Sequence, residues 1–472
     1  MKKSLFFLGL VFCLQQADAQ FPIIRHFWLN DSSYNHTLHP TSDGGYIIAA
    51  ARQQLGAKWR NTIAVLKLDA AYNIQHPQIQ NTDAQIIGIS FGGEWFDMSV
   101  NFEVHDIVEN VATKNYVICG SINYSGGTNV GMVTIIDQNL SVQSIREYPD
   151  VDTFYSVYAE GKYFYVCGNT HKKEGIVLRD EMFTMNPTAH ITKAPWTYYK
   201  IKVNNNSNDI VVSGSDAIDI GFTAFDITGG NFVNGAIASQ RLLQPYSLPN
   251  PKVVLTNYPG NPQGLILSMS GGNKILTFFF TNYNQVSSGN LAIIGGIQDI
   301  THLFLEDVEV DINSNPNLIK MAWVGNHWKT NLPNLTAFYI SWDVPIPILP
   351  QMHSFIPYIH YPLPPSSAYF RLHKVHFTSG DFHCGGFYNH HNNNKSTFVV
   401  APEQAVHQNC GLILPVDIEY YGTPWLNILP ITPMNVKVQP NKWLERKYNF
   451  CDTDCDDAPL NDNTSNPKCG NQ

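Results

Sequence analysis

The sequence predicts an all-β chain: a seven-bladed β-propeller of four-stranded antiparallel blades, closed by the N-terminal strand and followed by a short irregular C-terminal extension. Three observations predict it. A run of β-forming residues ending in a small residue recurs seven times, an acidic or amide residue follows each copy, and an orphan strand stands at the start. Composition agrees. Charged residues are 14% of the 472 and aromatics 12%, with 33 Gly and 28 Pro, which suits many short strands joined by turns.

The clearest copies of the small-residue pattern are Tyr46-Ile47-Ile48-Ala49-Ala50, Tyr116-Val117-Ile118-Cys119-Gly120, Phe164-Tyr165-Val166-Cys167-Gly168 and Ile210-Val211-Val212-Ser213-Gly214. Fainter copies are Leu265-Ile266-Leu267-Ser268, Ile319-Lys320-Met321-Ala322 and Phe382-His383-Cys384-Gly385, and the copies begin about 46 to 70 residues apart. The residue that follows each copy and closes the next β-run is Asp69, Asp137, Asp180, Asp226, Asn282, Asp343 or Glu403. Asp and Asn suit that place because their side chains cap turns through local backbone hydrogen bonds. A further β-run precedes each small-residue copy and another follows each acidic turn, so the unit has four strands.

Such a sheet cannot bury both faces alone. Packing successive sheets around an axis hides them and leaves only short edges; an open solenoid or tandem sandwiches are the alternatives. Ring closure leaves a trace at the N-terminus. Ile24-Arg25-His26-Phe27 is similar to Ile145-Arg146-Glu147-Tyr148, an outer strand, and a closed ring would use it to complete the last blade. The fainter late copies leave six or eight blades open.

The two chain ends fall outside the repeat. Lys2 and Lys3, an apolar stretch of about ten residues from Leu5 and the Ala17-Asp18-Ala19 site read as a signal peptide over 1–19. A propeller is expected over 20–420, and a Pro-, Asn- and Cys-rich extension over 421–472. The chain is therefore expected to be secreted or in the cell envelope, with no membrane insertion, because no later stretch reaches the apolar length of a spanning helix. A net charge of -9 without a basic cluster leaves no footprint for nucleic acid.

Thr41-Ser42-Asp43-Gly44-Gly45-Tyr46-Ile47-Ile48-Ala49, with Gly92-Gly93 and Asp97 before the next unit, resembles repeats of secreted β-propeller proteins of Bacteroidetes. Gln20 directly after Ala19 fits the signal peptides of that group. The resemblance implies export and a propeller. Val436-Lys437-Val438-Gln439-Pro440-Asn441 resembles the start of that group's C-terminal sorting domain, but too few residues follow for one, so sorting is not carried over. The Thr41–Ile48 stretch also loosely resembles the Asp-box turn of sialidase-like propellers, a structural motif that implies no catalysis.

The cysteines divide by position. Cys119, Cys167 and Cys384 occupy one slot of three repeats, and sheets about 10 Å apart do not bridge through Cα atoms that a disulfide holds about 4.4–6.8 Å apart. They are expected to be small buried residues. Cys410, Cys451, Cys455 and Cys469 are the disulfide candidates, with three pairings open. The acidic Cys451–Asp457 run resembles a calcium loop in its alternating carboxylates, but Asp457 stands where an EF-hand needs Gly and Asn463 where it needs Glu. No cofactor is expected, with calcium there as the alternative. His383, His390 and His391 match no metal spacing.

The longer loops between second and third strands, Arg52–Arg60, Ser121–Val130, Val324–Pro333 and Phe387–Lys395, belong to blades one, two, six and seven, contiguous around a closed ring. They carry Trp59, Tyr124, His327, Trp328, Tyr388, His390 and His391, and the segment linking blades one and two adds Trp95. Aromatics beside amides and cations suit a protein or glycan ligand; the competing reading packs the rings against their own loops. The function expected first is an exported non-catalytic binding or scaffold module. A carbohydrate-active hydrolase or lyase, and a structural part of a cell-surface assembly, are the alternatives, since fold does not decide function.

Overall fold

The computed structural model describes residues between 25 and 449, with breaks at connecting segments that include 55–59, 76–82, 89–99, 242–249, 346–357 and 403–411. Among the described residues the strands form seven antiparallel sheets, five of five strands and two of four. In six of them four strands consecutive in the chain lie side by side. The seventh uses Tyr369–Thr378, Asp381–His390 and Lys395–Pro402, and takes its fourth strand from the N-terminal Arg25–Trp28. Arg25 lies opposite Val400 and Trp28 opposite Thr397. The orphan strand thus closes the ring, as expected of a propeller.

The first strand of each sheet is the innermost: Ser32–Pro40, Val100–Asn110, Val151–Glu160, Thr197–Asn204, Lys252–Tyr258, Ile300–Asp311 and Tyr369–Thr378, for blades one to seven. Each packs against the inner strands before and after it, and that of blade one packs against that of blade seven. Both faces of a sheet are buried because each hydrophobic core is shared by neighbours. Ile47, Ile63 and Val65 of blade one pack with Phe102, Ile107 and Ile118 of blade two, and Val254, Ile266 and Phe279 of blade five with Leu305, Trp323 and Ile340 of blade six. This explains the nearly continuous apolar runs of the second strands.

The small-residue pattern has a local cause. An extra residue bulges the inner strand, and the position facing the bulge on the second strand must be small. His105 is the extra residue in blade two, with Val104 opposite Gly120 and Asp106 opposite Cys119. A Cβ on Gly120 would lie 1.7 Å from the Glu103 carbonyl oxygen, and one on Gly168 would lie 1.9 Å from that of Thr153. The crowding therefore comes from the blade's own inner strand.

Two of the three fainter copies sit out of register with the slot. In blade six the true pair is Val324-Gly325, two residues beyond Ala322, and in blade seven it is Gly385-Gly386. Cys384 is thus one position away from the slot of Cys119 and Cys167. All three are buried thiols outside any disulfide. Two of the acidic markers cap turns: Asp69 Oδ1 accepts from the amides of Ala71 and Asn73, and Asp137 Oδ1 from those of Asn139 and Ser141, at 2.8–2.9 Å. Glu403 lies outside the described residues.

The segment expected to be irregular is instead a belt of short strands. Leu412–Pro415 pairs with the outer strand of blade six, Asp417–Thr423 with blade five, Asn427–Leu429 with blade four and Ile431–Met434 with blade three. Gln439 makes a single bridge to Glu147 of blade two, and Leu444–Asn449 pairs with blade one. The chain thus retraces its own ring in reverse around the outside. Proline is tolerated because an edge strand needs only half its amides for pairing; Pro415 stands opposite Tyr358, and Pro433 opposite His190.

Candidate functional site: the central channel

The residue after the bulge, or in blade five the first residue of the inner strand, points one polar side chain per blade toward the axis. In order these are Thr37, Asp106, Ser156, Lys200, Lys252, Asp307 and Lys374, opposite Ala49, Cys119, Cys167, Ser213, Ser268, Val324 and Gly385. Their interactions cross the ring. Lys374 Nζ donates to Asp106 Oδ1 at 2.9 Å, while Ser156 Oγ and the Val157 amide donate to Asp106 Oδ2 at 2.7 and 3.2 Å. On the other side Lys200 Nζ donates to Asp307 and, at 2.8 Å, to the Val308 carbonyl. Two residues further along the strands, Lys202 Nζ meets Glu309 Oε2 at 2.7 Å. His39 and His376 meet edge to face there, with His376 Nε2 2.7 Å from the Leu38 carbonyl oxygen.

The electrostatics follow from these pairs. Burial opposes ionisation of Asp106, but the Lys374 ammonium and the Ser156 hydroxyl outweigh it and hold its pKa below the usual carboxylate value. Asp307 is held far down in the same way, by Lys200 and Lys374 against burial. Glu309 is lowered by Lys202 and Glu306 by His373, again against burial, and Glu103 chiefly by its contact with His105. Burial, then the neighbouring His376, push His39 down to about 3, so this imidazole is neutral.

The bulged residues form a second tier nearer the start of the inner strands. His105, Tyr155 and Tyr199 of blades two, three and four run ring to ring, with centroids 4.9 and 5.3 Å apart. Glu306 and His373 of blades six and seven approach to 3.9 Å. Blade five has Pro251 in this place, immediately before Lys252. Burial raises the phenol pKa of both Tyr155 and Tyr199, so both stay protonated and can donate hydrogen bonds. Among the described residues no group of His, Cys, Asp or Glu has the geometry to hold a metal ion.

The aromatic residues expected at the rim fare differently from one another. The ladders extend further than expected, to Gln54, Tyr124, Lys329 and His390, so the connecting stretches between second and third strands are shorter. Trp59, Trp95 and His391 lie outside the described residues. Tyr388 and His390 are on the second strand of blade seven, opposite Thr397 and Lys395, and their side chains lie outside the description. Tyr124 is half-buried and donates its hydroxyl to Glu147 of its own blade. His327 is 3% exposed, whereas Trp328 beside it is 48% exposed. The structure thus sets Trp328 alone of the described rim residues out in solvent. Cys410, Cys451, Cys455 and Cys469, with the acidic run at 451–457, lie outside the described residues.

The channel residues were not singled out from sequence. The available signal was a charged residue inside an otherwise apolar first strand, as in Val104-His105-Asp106-Ile107-Val108, repeated in blade after blade.

No family model matches the chain, and no curated protein matches it. Solved structures similar to it include the Dos1 propeller, at 12% identity over 80% of this chain and 95% of that one, with a TM-score of 0.41. A mutant NanB sialidase from Streptococcus pneumoniae is 10% identical over 80% of this chain and 70% of that one, at 0.43. The periplasmic gluconolactonase of Pseudomonas aeruginosa is 10% identical over 85% and 100%, at 0.33. Binding proteins and enzymes alike use such scaffolds, so the likeness leaves function to the site itself.

Proposed function

We propose that the chain is an exported, non-catalytic binding module whose protein or glycan ligand lies on the face where the channel opens beside Tyr155 and Tyr199. One observation carries this reading: the described channel carboxylates Glu103, Asp106, Glu306, Asp307 and Glu309 are all held ionised by cationic or hydrogen-bonding neighbours. A glycosidase needs one carboxylic acid that stays protonated near neutral pH to hand its proton to the leaving group. The phenols cannot act as bases while burial holds them protonated. What the mouth offers is a wall of aromatic faces and fixed hydrogen-bond donors, which is the chemistry of recognition.

The mouth lies on the same face as Trp328. Blade six begins its inner strand there, with Ile300 opposite Lys329 and the Thr301 hydroxyl donating to the Trp328 carbonyl at 3.0 Å. A ligand large enough to span both would use the exposed indole as an outer contact. The test is a glycan array followed by titration of the purified chain. Tyr155→Ala with Tyr199→Ala should weaken binding at least tenfold without changing the melting transition. Release of a shortened sugar on prolonged incubation would overturn the reading in favour of a hydrolase or lyase.

A further inference from the structure

We propose that the channel mouth reads a carboxylate: an acidic, uronate-type sugar of the ligand seats its carboxylate on Lys252 and its ring against Tyr155 and Tyr199. This deepens the binding reading above and rests on it.

The first support is that Lys252 is left over. The other lysines of the channel are committed, Lys374 to Asp106, Lys200 to Asp307 and Lys202 to Glu309. Among the described residues the Lys252 ammonium makes no ion pair and no hydrogen bond, though the side chain is only partly exposed. The second support is its position. Lys252 stands opposite Ser268 as Lys200 stands opposite Ser213 and Lys374 opposite Gly385, so it holds the same place on its inner strand as the two paired channel lysines. The third is access. Neighbouring blades cover the tier with large side chains, whereas Pro251 leaves blade five without one, and its carbonyl is already taken by the Ser213 hydroxyl at 2.7 Å.

These features also select the ligand. A cation short of a counter-ion takes an anion, and the charge-assisted hydrogen bond so formed is about twice as strong as a neutral one. Glu306 and Asp307 lie within electrostatic range, so a singly charged carboxylate is tolerated better than a phosphate dianion. Blade four, beside blade five, and blade three beyond it supply Tyr199 and Tyr155, with ring centroids 5.3 Å apart and planes inclined by 43°. Such a wall covers the apolar face of a pyranose ring, while the phenols donate to its hydroxyls. A peptide C-terminus would use the lysine but leave the aromatic wall idle.

The experiment is titration of galacturonate and of galactose into the wild-type chain, Lys252→Met and Lys252→Arg, with a short peptide bearing a free C-terminus as a third probe. Galacturonate should bind the wild type at least about tenfold more tightly than galactose. Lys252→Met should lose that preference while keeping the weak galactose affinity, and Lys252→Arg, which keeps the charge, should retain most of it. Equal galacturonate affinity in wild type and Lys252→Met would overturn the inference and leave the binding module standing. So would equal binding of the two sugars, or binding of the peptide in their place. Failure of all three probes, with the Tyr155 and Tyr199 variants binding arrayed glycans like the wild type, would remove both the inference and the channel-mouth reading.

Discussion

Lys374 of blade seven pairs with Asp106 of blade two at 2.9 Å, reaching across the inner strand of blade one that separates them. A contact between successive blades would exist in an open array as well. This one, joining the start and the end of the repeat, exists only when the ring is shut. Lys200 and Asp307 reach across blade five in the same way, joining blades four and six. The channel is thus laced from within, as the belt ties the blades from outside.

Cutting one lace should be costly. Asp106→Leu leaves the Lys374 ammonium, 15% exposed, without its counter-ion, and removing one member of a buried pair costs about 3–5 kcal/mol. Denaturant unfolding should show a loss of at least about 2 kcal/mol, with part of it recovered when Lys374→Met is added. A midpoint unchanged by Asp106→Leu would mean that the pair contributes nothing.

Acid should loosen the ring. The folded pKa values of Asp106, Glu306, Asp307 and Glu309 are depressed, so their contribution is complete above the unfolded values of about 3.9–4.3 and is lost as pH falls through the folded ones. The melting temperature should therefore decline below about pH 4. A melting temperature that holds level down to pH 2 would contradict the assignment.

Lys252 works in the opposite sense. Burial and the Lys374 ammonium bring its pKa down to about 8, so near neutral pH its charge is held at a cost to the folded state. Between about pH 8 and the unfolded value of about 10.4 the unfolded chain binds more protons, and this group's cost is relieved as pH rises. Lys252→Met should accordingly stabilise the chain near neutral pH, by roughly 1 kcal/mol or more, even as it loses the carboxylate preference. A variant less stable than the wild type would show that the lysine is structural.

The glycine of the repeat admits a sharp comparison. Gly168→Ala should cost about 2 kcal/mol or more, because its new carbon would meet the Thr153 carbonyl at 1.9 Å and the bulge cannot relax without moving Tyr155. Gly161→Ala has open space around it and only its φ of +57° to oppose it, so its cost should be near 1 kcal/mol. Thermal melts of the two variants decide; equal costs would remove the steric account of the repeat.

Ending the chain after residue 411 removes the belt and opens the outer edges of five sheets. Unpaired edges invite pairing between molecules. The truncated chain should melt lower and associate with rising concentration in light scattering. A monomer as stable as the full chain would show the belt to be ornamental.

The sequence by itself determined the four-stranded unit, its sevenfold repetition, the closing role of the N-terminal strand around Ile24–Phe27 and the burial of Cys119 and Cys167. All of these rest on local alternation, turn chemistry and residue size, which neighbouring residues carry with them. It misplaced the weaker copies at Ala322 and Cys384, since the bulge that defines the slot lies on the partner strand. Only the tertiary structure decided that Thr37, Asp106, Lys200, Lys252, Asp307 and Lys374 meet around one axis, because residues up to 338 positions apart become neighbours only once the ring closes. The belt was hidden for the same reason: short, proline-bearing segments form strands there because finished blades offer them an edge.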